Sequence, residues 1–280
     1  MGARRLPGVA ALLTAGAVAL SGCGTHGSHR SEASLRTKSP AATHTSAHTS
    51  AGARSGPAAT ARETVTAPRK TLRLGATGKA VQWLQRRLAQ LGYRPGKADG
   101  RYGGATLAAV WAFQKVNGIK PTSTVARRTW DALETPRSPQ VLVRNGKPTR
   151  AEVNLTKQIM VLYVDGEVKL ITHVSSGSGV PYCETAAWQG KQQRFCGSAT
   201  TPTGDYQTTW RARGWHRSYL GQLYNPIFFN GGIAFHGALS VPLYPASHGC
   251  VRMPMNVAEV LPGMLGKGVP VHVRGRFKRL

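Results

Sequence analysis

Residues 24–70 contain almost no large apolar side chains, and this leaves only the rest of the chain to build a folded core. The segment is made mainly of Ser, Thr, Ala, Gly, His and Arg. Such a composition buries too little apolar surface to offset the chain entropy that folding removes. We therefore expect residues 23–70 to form a disordered tether, and the folded part of the protein to lie between residues 71 and 280.

The N-terminus has the pattern of a secretory leader. Arg4 and Arg5 precede an apolar stretch that runs to Leu20. This stretch is shorter than the roughly 20 residues that a membrane-spanning helix needs, so residues 1–22 are predicted to be a signal peptide. The tetrapeptide LSGC resembles a bacterial lipobox, and the resemblance implies that Cys23 is acylated and anchors the protein in the membrane. An ordinary leader with an incidental cysteine is the alternative.

The chain is strongly basic, with 37 Lys and Arg against 11 Asp and Glu and a formal net charge of +26. Nucleic acid is the usual partner of so basic a protein. An exported chain instead meets anionic wall polymers and anionic lipid head groups. We therefore predict no nucleic acid partner and name anionic wall polymers as a candidate partner; a generally basic, soluble surface explains the charge equally well.

Residues 71–135 have the spacing of a small helical unit. Val81, Leu84 and Leu88 recur at helical intervals, and LAAVWAFQKVNG and ARRTWDAL indicate a second and a third helix. Three short helices predict a small all-α bundle. In this order, VQWLQRRL, DGRYGGAT, AVWAFQ and RRTWDAL resemble the peptidoglycan-binding type 1 domain, which implies that the segment binds wall glycan. A spacer bundle that binds nothing is the alternative.

From residue 136 onward the pattern changes to strands. QIMVLYV and EVKLITHVSSG are apolar-rich runs on either side of Asp165 and Gly166, a two-residue hairpin signal. IFFNGGIAFHG and VPVHVRG are further strand-like runs, and one helix is indicated around NVAEVLPGML. Residues 136–280 are therefore predicted to form a mainly β domain, long enough to hold a core of its own.

The cysteine count leaves one thiol over. The four cysteines are Cys23, Cys183, Cys196 and Cys250. Cys183 and Cys196 bracket a short polar segment that a disulfide can close, which is worth roughly 3 kcal/mol in the chain-entropy model. If Cys23 is lipidated and this pair is bonded, Cys250 stays free in an oxidising compartment and invites a functional explanation.

The neighbours of Cys250 favour a catalytic thiol. A cysteine attacks a carbonyl carbon as the thiolate, so it needs a base and donors for the oxyanion. His236 and His248 are the candidate bases, and Gly249 permits a tight turn whose backbone N–H groups can face a bound carbonyl. Arg252 can bind a substrate carboxylate. This chemistry requires no cofactor.

Three other interpretations of Cys250 are weaker. A metal site made of His236, His248 and Cys250 lacks an accompanying carboxylate or Cys-x-x-Cys pair, so no metal is predicted. A buried structural cysteine is disfavoured because Ser247, His248 and Arg252 are poor core neighbours. A papain-like arrangement is disfavoured because there the cysteine precedes its histidine in the chain.

FHG at 235–237, followed by SHGCVRM at 247–253, resembles the L,D-transpeptidase catalytic domain, and the match runs from about residue 152 to the final strand. The resemblance implies that Cys250 is the nucleophile and His236 the general base. It implies oxyanion support from His248, Gly249 and Cys250. Ser247 and Arg252 would shape the turn and a substrate subsite.

Two further substrate contacts are predicted, and the disulfide loop is placed near the cleft. Gly237 permits close backbone approach, and Tyr224 belongs to an aromatic-rich stretch, residues 205–229, that can line the stem-peptide cleft. The loop between Cys183 and Cys196 is interpreted as a local insertion that lines or covers the cleft.

The resemblance implies acyl transfer in the cell wall, at the outer face of the cytoplasmic membrane. The thiol attacks a tetrapeptide stem, expels D-alanine, and the thioester is resolved by an amine of a neighbouring stem to give a 3→3 cross-link. If water resolves it, the same site is an L,D-carboxypeptidase. Acylation by carbapenems is also implied. A mainly wall-binding or scaffolding lipoprotein with weak catalysis is the alternative from another functional class.

Overall fold

The computed structural model describes residues 66–276. The predicted signal peptide, the lipidation site Cys23 and most of the predicted tether lie outside the described residues. Between residues 66 and 276, no helix is both long enough and apolar enough to cross a bilayer.

Three helices form the N-terminal part of the described chain: α1 (Lys79–Gln90), α2 (Gly104–Val116) and α3 (Arg127–Glu134). Their apolar faces pack around one core, in which the side chains of Leu84, Phe113 and Trp130 have no exposed surface. The spacing of buried residues along each helix places these side chains on the face that meets the other helices.

Residues just before the predicted boundary at residue 70 contact the helices. Ala67 is buried, and its N–H donates to Glu134 at 2.9 Å. Arg69 pairs with Asp131 and Glu134, and the Lys70 carbonyl accepts a hydrogen bond from the Trp130 indole. These contacts lie outside the predicted bundle, because they use backbone and charged groups that a search for apolar side chains does not detect.

The rest of the chain is mainly β, as predicted. The strands are β1 (Arg150–Asn154), β2 (Ile159–Val164), β3 (Glu167–His173), β4 (Pro181–Trp188), β5 (Lys191–Ser198), β6 (Gly204–Gln207), β7 (Trp215–Ser218), β8 (Gly221–Asn230), β9 (Ile233–Gly237), β10 (Val251–Met253) and β11 (Pro270–Arg274). A helix, α4 (Met255–Met264), lies between β10 and β11.

The strands form two larger sheets and one separate hairpin. The five-stranded sheet has the order β3-β2-β1-β11-β6, the four-stranded sheet has the order β10-β9-β8-β7, and β4 pairs only with β5. Asp165 and Gly166, both with positive φ, join β2 to β3, so the predicted two-residue hairpin is confirmed.

The core of the β domain lies between the two larger sheets and α4. It includes Val153 and Met160 from the first sheet, Phe235 and Val251 from the second, and Leu261 from α4. One face of β9 and β10 is therefore committed to the core, which leaves their opposite face for other contacts.

The helical region and the first sheet share a second core. Phe113 and Tyr93 belong to the same buried cluster as Ile159 and Ile171 of β2 and β3. The Ile171 N–H also donates to the Gly92 carbonyl at 2.9 Å. The helices therefore pack against the face of β2 and β3 that points away from the core of the β domain, and they also bond to the β3 edge.

Candidate active site

The pairing of β9 with β10 brings together the residues around the free cysteine. The two strands are parallel, and Arg252 lies opposite His236. Because side chains alternate between the two faces of a strand, His236, Arg252 and the preceding Cys250 lie on one face, while Phe235 and Val251 face the core. The strand pairing thus brings His236 next to Cys250 and Arg252, which lie more than twelve positions later in the chain.

This face is the floor of a cleft of about 810 Å³. His236, Ser247, His248, Cys250 and Arg252 all line it. Its walls come from the β4–β5 hairpin, from the β7–β8 hairpin and from residues 238–249, which we call the active-site loop. The aromatic and apolar side chains that line the cleft include Tyr182, Trp188, Trp210, Trp215, Tyr219 and Leu239.

The thiol of Cys250 and the ring of His236 are both held in their neutral forms. Burial raises the pKa of Cys250, and the Ala234 backbone and the Arg252 charge only partly oppose this. Burial also lowers the pKa of His236 to about 4, and the charge of Arg252 acts in the same direction. At neutral pH the site therefore contains a thiol and a neutral imidazole, and no thiolate–imidazolium pair.

The hydrogen bond of His236 defines which ring nitrogen can act as a base. Its Nδ1 lies 2.9 Å from the Gly237 carbonyl oxygen. A carbonyl only accepts, so Nδ1 carries the proton and Nε2 keeps its lone pair. This is the tautomer that a general base acting through Nε2 requires.

The turn before Cys250 is held by Ser247. The Ser247 hydroxyl donates to the Cys250 carbonyl and accepts the N–H of Gly249 at 3.0 Å. Gly249 has φ of 133°, and a Cβ there would lie 3.0 Å from the Thr200 carbonyl oxygen. The position therefore favours glycine for both its dihedral angle and its close contact.

One predicted role in this turn needs correction. The Gly249 N–H already has an acceptor inside the turn, so in this conformation it is not a free oxyanion donor. The Ser247 hydroxyl is engaged by Gly249 and Cys250, in agreement with its predicted part in shaping the turn, and its contact with substrate stays a prediction. The N–H of Cys250 is the remaining candidate among the predicted backbone donors.

His248 is held from the β4–β5 hairpin, through a residue that the sequence analysis missed. Its Nε2 lies 2.7 Å from Oε1 of Glu184, and its ring packs edge-on against Tyr182 with 4.7 Å between centroids. A disulfide joins Cys183 to Cys196, directly beside Glu184. The only sequence signal was a rare acidic residue next to a paired cysteine.

Two further observations concern what the cleft can bind. None of the carboxylates described forms an ion pair with Arg252, so its charge is available to an anionic group in the cleft. In residues 66–276, no group of three or more His, Cys, Asp or Glu side chains is arranged to hold a metal ion.

Tyr224 and Gly237 do not reach the cleft as predicted. They lie opposite each other on β8 and β9, on the core side with Phe235. The Tyr224 hydroxyl donates to Glu259 of α4, and a Cβ on Gly237 would lie 2.8 Å from Cβ of Ala258. Strand alternation places them beneath α4, where they pack and do not line the cleft. Of the predicted aromatic stretch, Trp210 and Trp215 do line the cleft.

Comparisons with known proteins agree with this architecture. Residues 77–133 match the family model of a peptidoglycan binding domain, and residues 148–273 match that of the L,D-transpeptidase catalytic domain. Both predicted resemblances are thus confirmed.

One solved structure gives the same result, and a second is reported for comparison. The L,D-transpeptidase from Xylanimonas cellulosilytica is 39% identical, with a TM-score of 0.64 over 73% of this chain and 98% of that one. An L,D-transpeptidase from Stackebrandtia nassauensis is 25% identical, with a TM-score of 0.41 over 76% of this chain and 98% of that one. On its similarity to the Xylanimonas enzyme, the chain belongs to the L,D-transpeptidase family.

Proposed function

We propose that this protein is a peptidoglycan L,D-transpeptidase that forms 3→3 cross-links through an acyl-enzyme on Cys250. The observation that carries the proposal is the parallel pairing of β9 and β10, which places Cys250, His236 and Arg252 on one face within one cleft. Acyl transfer from an anionic peptide to a cysteine requires a thiol, a neutral base and a cation that can bind the peptide.

Acylation begins with a neutral thiol. As Sγ of Cys250 bonds to the carbonyl carbon of the third stem residue, its proton moves to Nε2 of His236. The Cys250 N–H is the candidate donor to the oxyanion, because His248 donates its Nε2–H to Glu184 and a ring with its one proton on Nε2 has no N–H at Nδ1. The C–N bond then breaks, and the leaving amine of D-alanine takes the proton from His236.

Deacylation reverses these roles. The side-chain amine of a neighbouring stem attacks the thioester carbon and gives its proton to His236, and the thiol is reprotonated as it leaves. If water replaces the amine, the product is a tripeptide stem and the activity is that of an L,D-carboxypeptidase. Arg252 binds a carboxylate of the donor stem, and the aromatic walls pack against its backbone and methyl groups.

The other parts of the chain serve to keep the enzyme at its polymer. Residues 71–135 bind wall glycan, acylated Cys23 anchors the protein at the outer face of the cytoplasmic membrane, and the basic surface contacts anionic wall polymers. Tethering of enzyme and polymer raises their effective concentration without adding contacts at the active site.

The test is mass spectrometry of the full chain incubated with tetrapeptide-bearing wall fragments. The wild type should give a thioester on Cys250 and 3→3 dimers, and Cys250→Ala and His236→Gln should each lose both. His272→Gln, a histidine on β11 outside the cleft, is the matched control and should retain activity. A carbapenem should acylate the same cysteine.

The remaining outcomes separate the alternatives. An adduct with tripeptide as the sole product identifies a carboxypeptidase. Absence of any adduct on folded, reduced wild type would sink the catalytic proposal and leave a wall-binding or scaffolding protein, which Cys250→Ala would not impair.

A further inference from the structure

A lysine of α2 is partly buried against the β domain without a carboxylate beside it. The Nζ of Lys115 lies 2.8 Å from Nδ1 of His173, at the end of β3, and 3.1 Å from the Gln158 carbonyl oxygen. The ring of Trp111, also on α2, packs edge-on against His173. No acidic group among the described residues pairs with Lys115. Burial lowers the pKa of Lys115 to about 7.

The contact with Lys115 determines which nitrogen of His173 carries the proton. Burial and the charge of Lys115 lower the pKa of His173 to about 4, so the ring is neutral and has one N–H. Charged or neutral, the lysine amine can donate into Nδ1, which leaves the proton on Nε2. Nε2 lies 3.0 Å from the Val241 carbonyl oxygen and can therefore donate to it.

Without Lys115 the opposite tautomer becomes available. The Nδ1 of His173 also lies 3.3 Å from the Gln158 carbonyl, so an Nδ1–H could donate there. Nε2 would then present a lone pair to the Val241 carbonyl oxygen, and the two acceptors would repel each other. The presence of Lys115 therefore decides whether His173 donates a hydrogen bond to the Val241 carbonyl.

Val241 belongs to the active-site loop, and the loop is held from the segment that begins at His173. The Ser175 hydroxyl donates to the Tyr244 carbonyl at 2.7 Å. The N–H groups of Ala246 and Ser247 both reach the Ser176 carbonyl at 3.0 Å. Leu239 and Tyr244, by contrast, are 86% and 62% exposed, so core packing does little to hold this part of the loop.

We propose that Lys115, a residue of the peptidoglycan-binding domain, fixes the Nε2–H tautomer of His173 and thereby positions the active-site loop that leads to Cys250. Lys115 and His173 are positioning residues, since neither lines the cleft. The helical domain then contributes to the geometry of the active site as well as to wall binding. The effect on catalysis rests on the proposed function, whereas the coupling itself does not.

The coupling is tested first by nuclear magnetic resonance and hydrogen exchange on the full chain. We expect the wild-type His173 ring to be the Nε2–H tautomer, and Lys115→Met to populate the Nδ1–H form. Exchange of the Ala246 and Ser247 amides should rise roughly fivefold, as for the loss of one hydrogen bond between neutral groups. Lys120→Met removes an exposed lysine nearby and should change neither measurement.

Two His173 variants test these hydrogen bonds, one by removing them and one by restoring them. His173→Phe keeps the ring packing against Trp111 but loses both hydrogen bonds, and it should reproduce the loop exchange of Lys115→Met. His173→Gln offers one acceptor and one donor at similar positions, and it should restore protection while Lys115 is present. A wild-type Nδ1–H tautomer, or loop exchange that is unchanged in Lys115→Met, would overturn the proposal.

Carbapenem acylation of Cys250 gives the functional measurement. Lys115→Met should lower the maximal acylation rate roughly fivefold, with little change in half-saturating concentration. It should cause no loss of stability, since a partly buried amine without a carboxylate is removed. A fall in rate that accompanies an equal fall in stability would indicate a structural role and contradict positioning. If the wild type is not acylated at all, the proposed function fails, while the resonance and exchange results still decide the coupling.

Discussion

At the scale of single residues, the burial of His236 sets the pH range in which the site can work. The side chain is 5% exposed, and its pKa is lowered to about 4. The base must be neutral to accept the thiol proton. We therefore predict that the rate of Cys250 acylation stays high down to about pH 5 and falls only as His236 protonates, well below the ordinary histidine range.

The measurement is the acid limb of acylation, read together with a resonance titration of His236 in Cys250→Ala. Arg252→Gln removes a positive charge that lowers the pKa of His236, so the titration should move to higher pH. An acid limb near 6.5, or an unmoved titration in Arg252→Gln, would contradict the assignment.

The close contacts around Gly237 predict that a side chain at this position lowers the stability of the protein. A Cβ there would lie 2.8 Å from Cβ of Ala258 and 3.1 Å from Sδ of Met255, both on α4. Gly237→Ala should therefore displace α4 and lower the free energy of unfolding by roughly 1 to 3 kcal/mol, the usual cost of overpacking. Chemical denaturation measures this change.

The control for Gly237 lies in α4 itself. A Cβ on Gly263 would meet nothing within 4 Å, and alanine favours helix over glycine by about 1 kcal/mol. Gly263→Ala should thus leave stability unchanged or raise it. Equal losses in both variants would mean that the contact beneath α4 is not what requires glycine at 237.

At the scale of elements, the β4–β5 hairpin is the part of the site that the rest of the fold holds least. Most of its side chains are exposed. Its contacts with the β domain include Glu184 to His248 and the stacking of Phe195 on Tyr219, 4.1 Å between centroids. A hairpin held by a few surface contacts opens more easily than the core.

The disulfide limits that opening, because Cys183 and Cys196 lie directly opposite each other on the two strands. We predict that Cys183→Ser/Cys196→Ser increases hydrogen exchange throughout residues 181–198 and raises the half-saturating concentration of substrate several-fold, as expected for loss of about 1 kcal/mol of preorganisation. The global unfolding midpoint should change much less.

Ala187 and Gln192 supply the matched control in the same hairpin. They are also a directly opposed, exposed pair, but without a covalent bond. Ala187→Ser/Gln192→Ser should therefore leave both exchange and half-saturation close to wild type. A global loss of stability in the cysteine variant would show that the hairpin unfolds with the core.

At the scale of the whole molecule, Lys115 makes the stability of the joined domains depend on pH. Its pKa is about 7 in the folded protein, below its ordinary value of 10.5. Between these values the unfolded chain holds the proton more tightly, so the free energy of unfolding rises with pH. We predict a gain of roughly 2 to 4 kcal/mol from pH 7 to pH 10, because each pKa unit is worth about 1.4 kcal/mol.

The Lys115 contribution is isolated by difference, since many other basic groups also titrate. Denaturation of wild type and Lys115→Met should give curves that converge as the pH rises, with the variant more stable at pH 7. Lys120→Met, which removes one exposed charge, should run parallel to wild type. Parallel curves for Lys115→Met would mean that this lysine is not desolvated in solution.

Local patterns accounted for much of the architecture. The alternation and turn residues around Asp165 and Gly166 predicted the β2–β3 hairpin, and the family motifs predicted the catalytic and wall-binding domains. The contacts of residues 67–70 with α3 and the positions of Tyr224 and Gly237 beneath α4 were not predicted, because each depends on a neighbour distant in the chain. The roles of Cys250, His236 and Arg252 stay predictions until the experiments above are done.

The sequence by itself determined the types of element and the chemical groups, because periodicity, turn residues and short motifs are local properties of the chain. Only the tertiary structure decided which groups meet. The alternation of side chains along paired strands put His236 and Cys250 on the cleft face and Tyr224 beneath α4. Packing of α2 against β3 joined Lys115 to His173. These contacts link residues distant in the chain, where no local pattern records the partner.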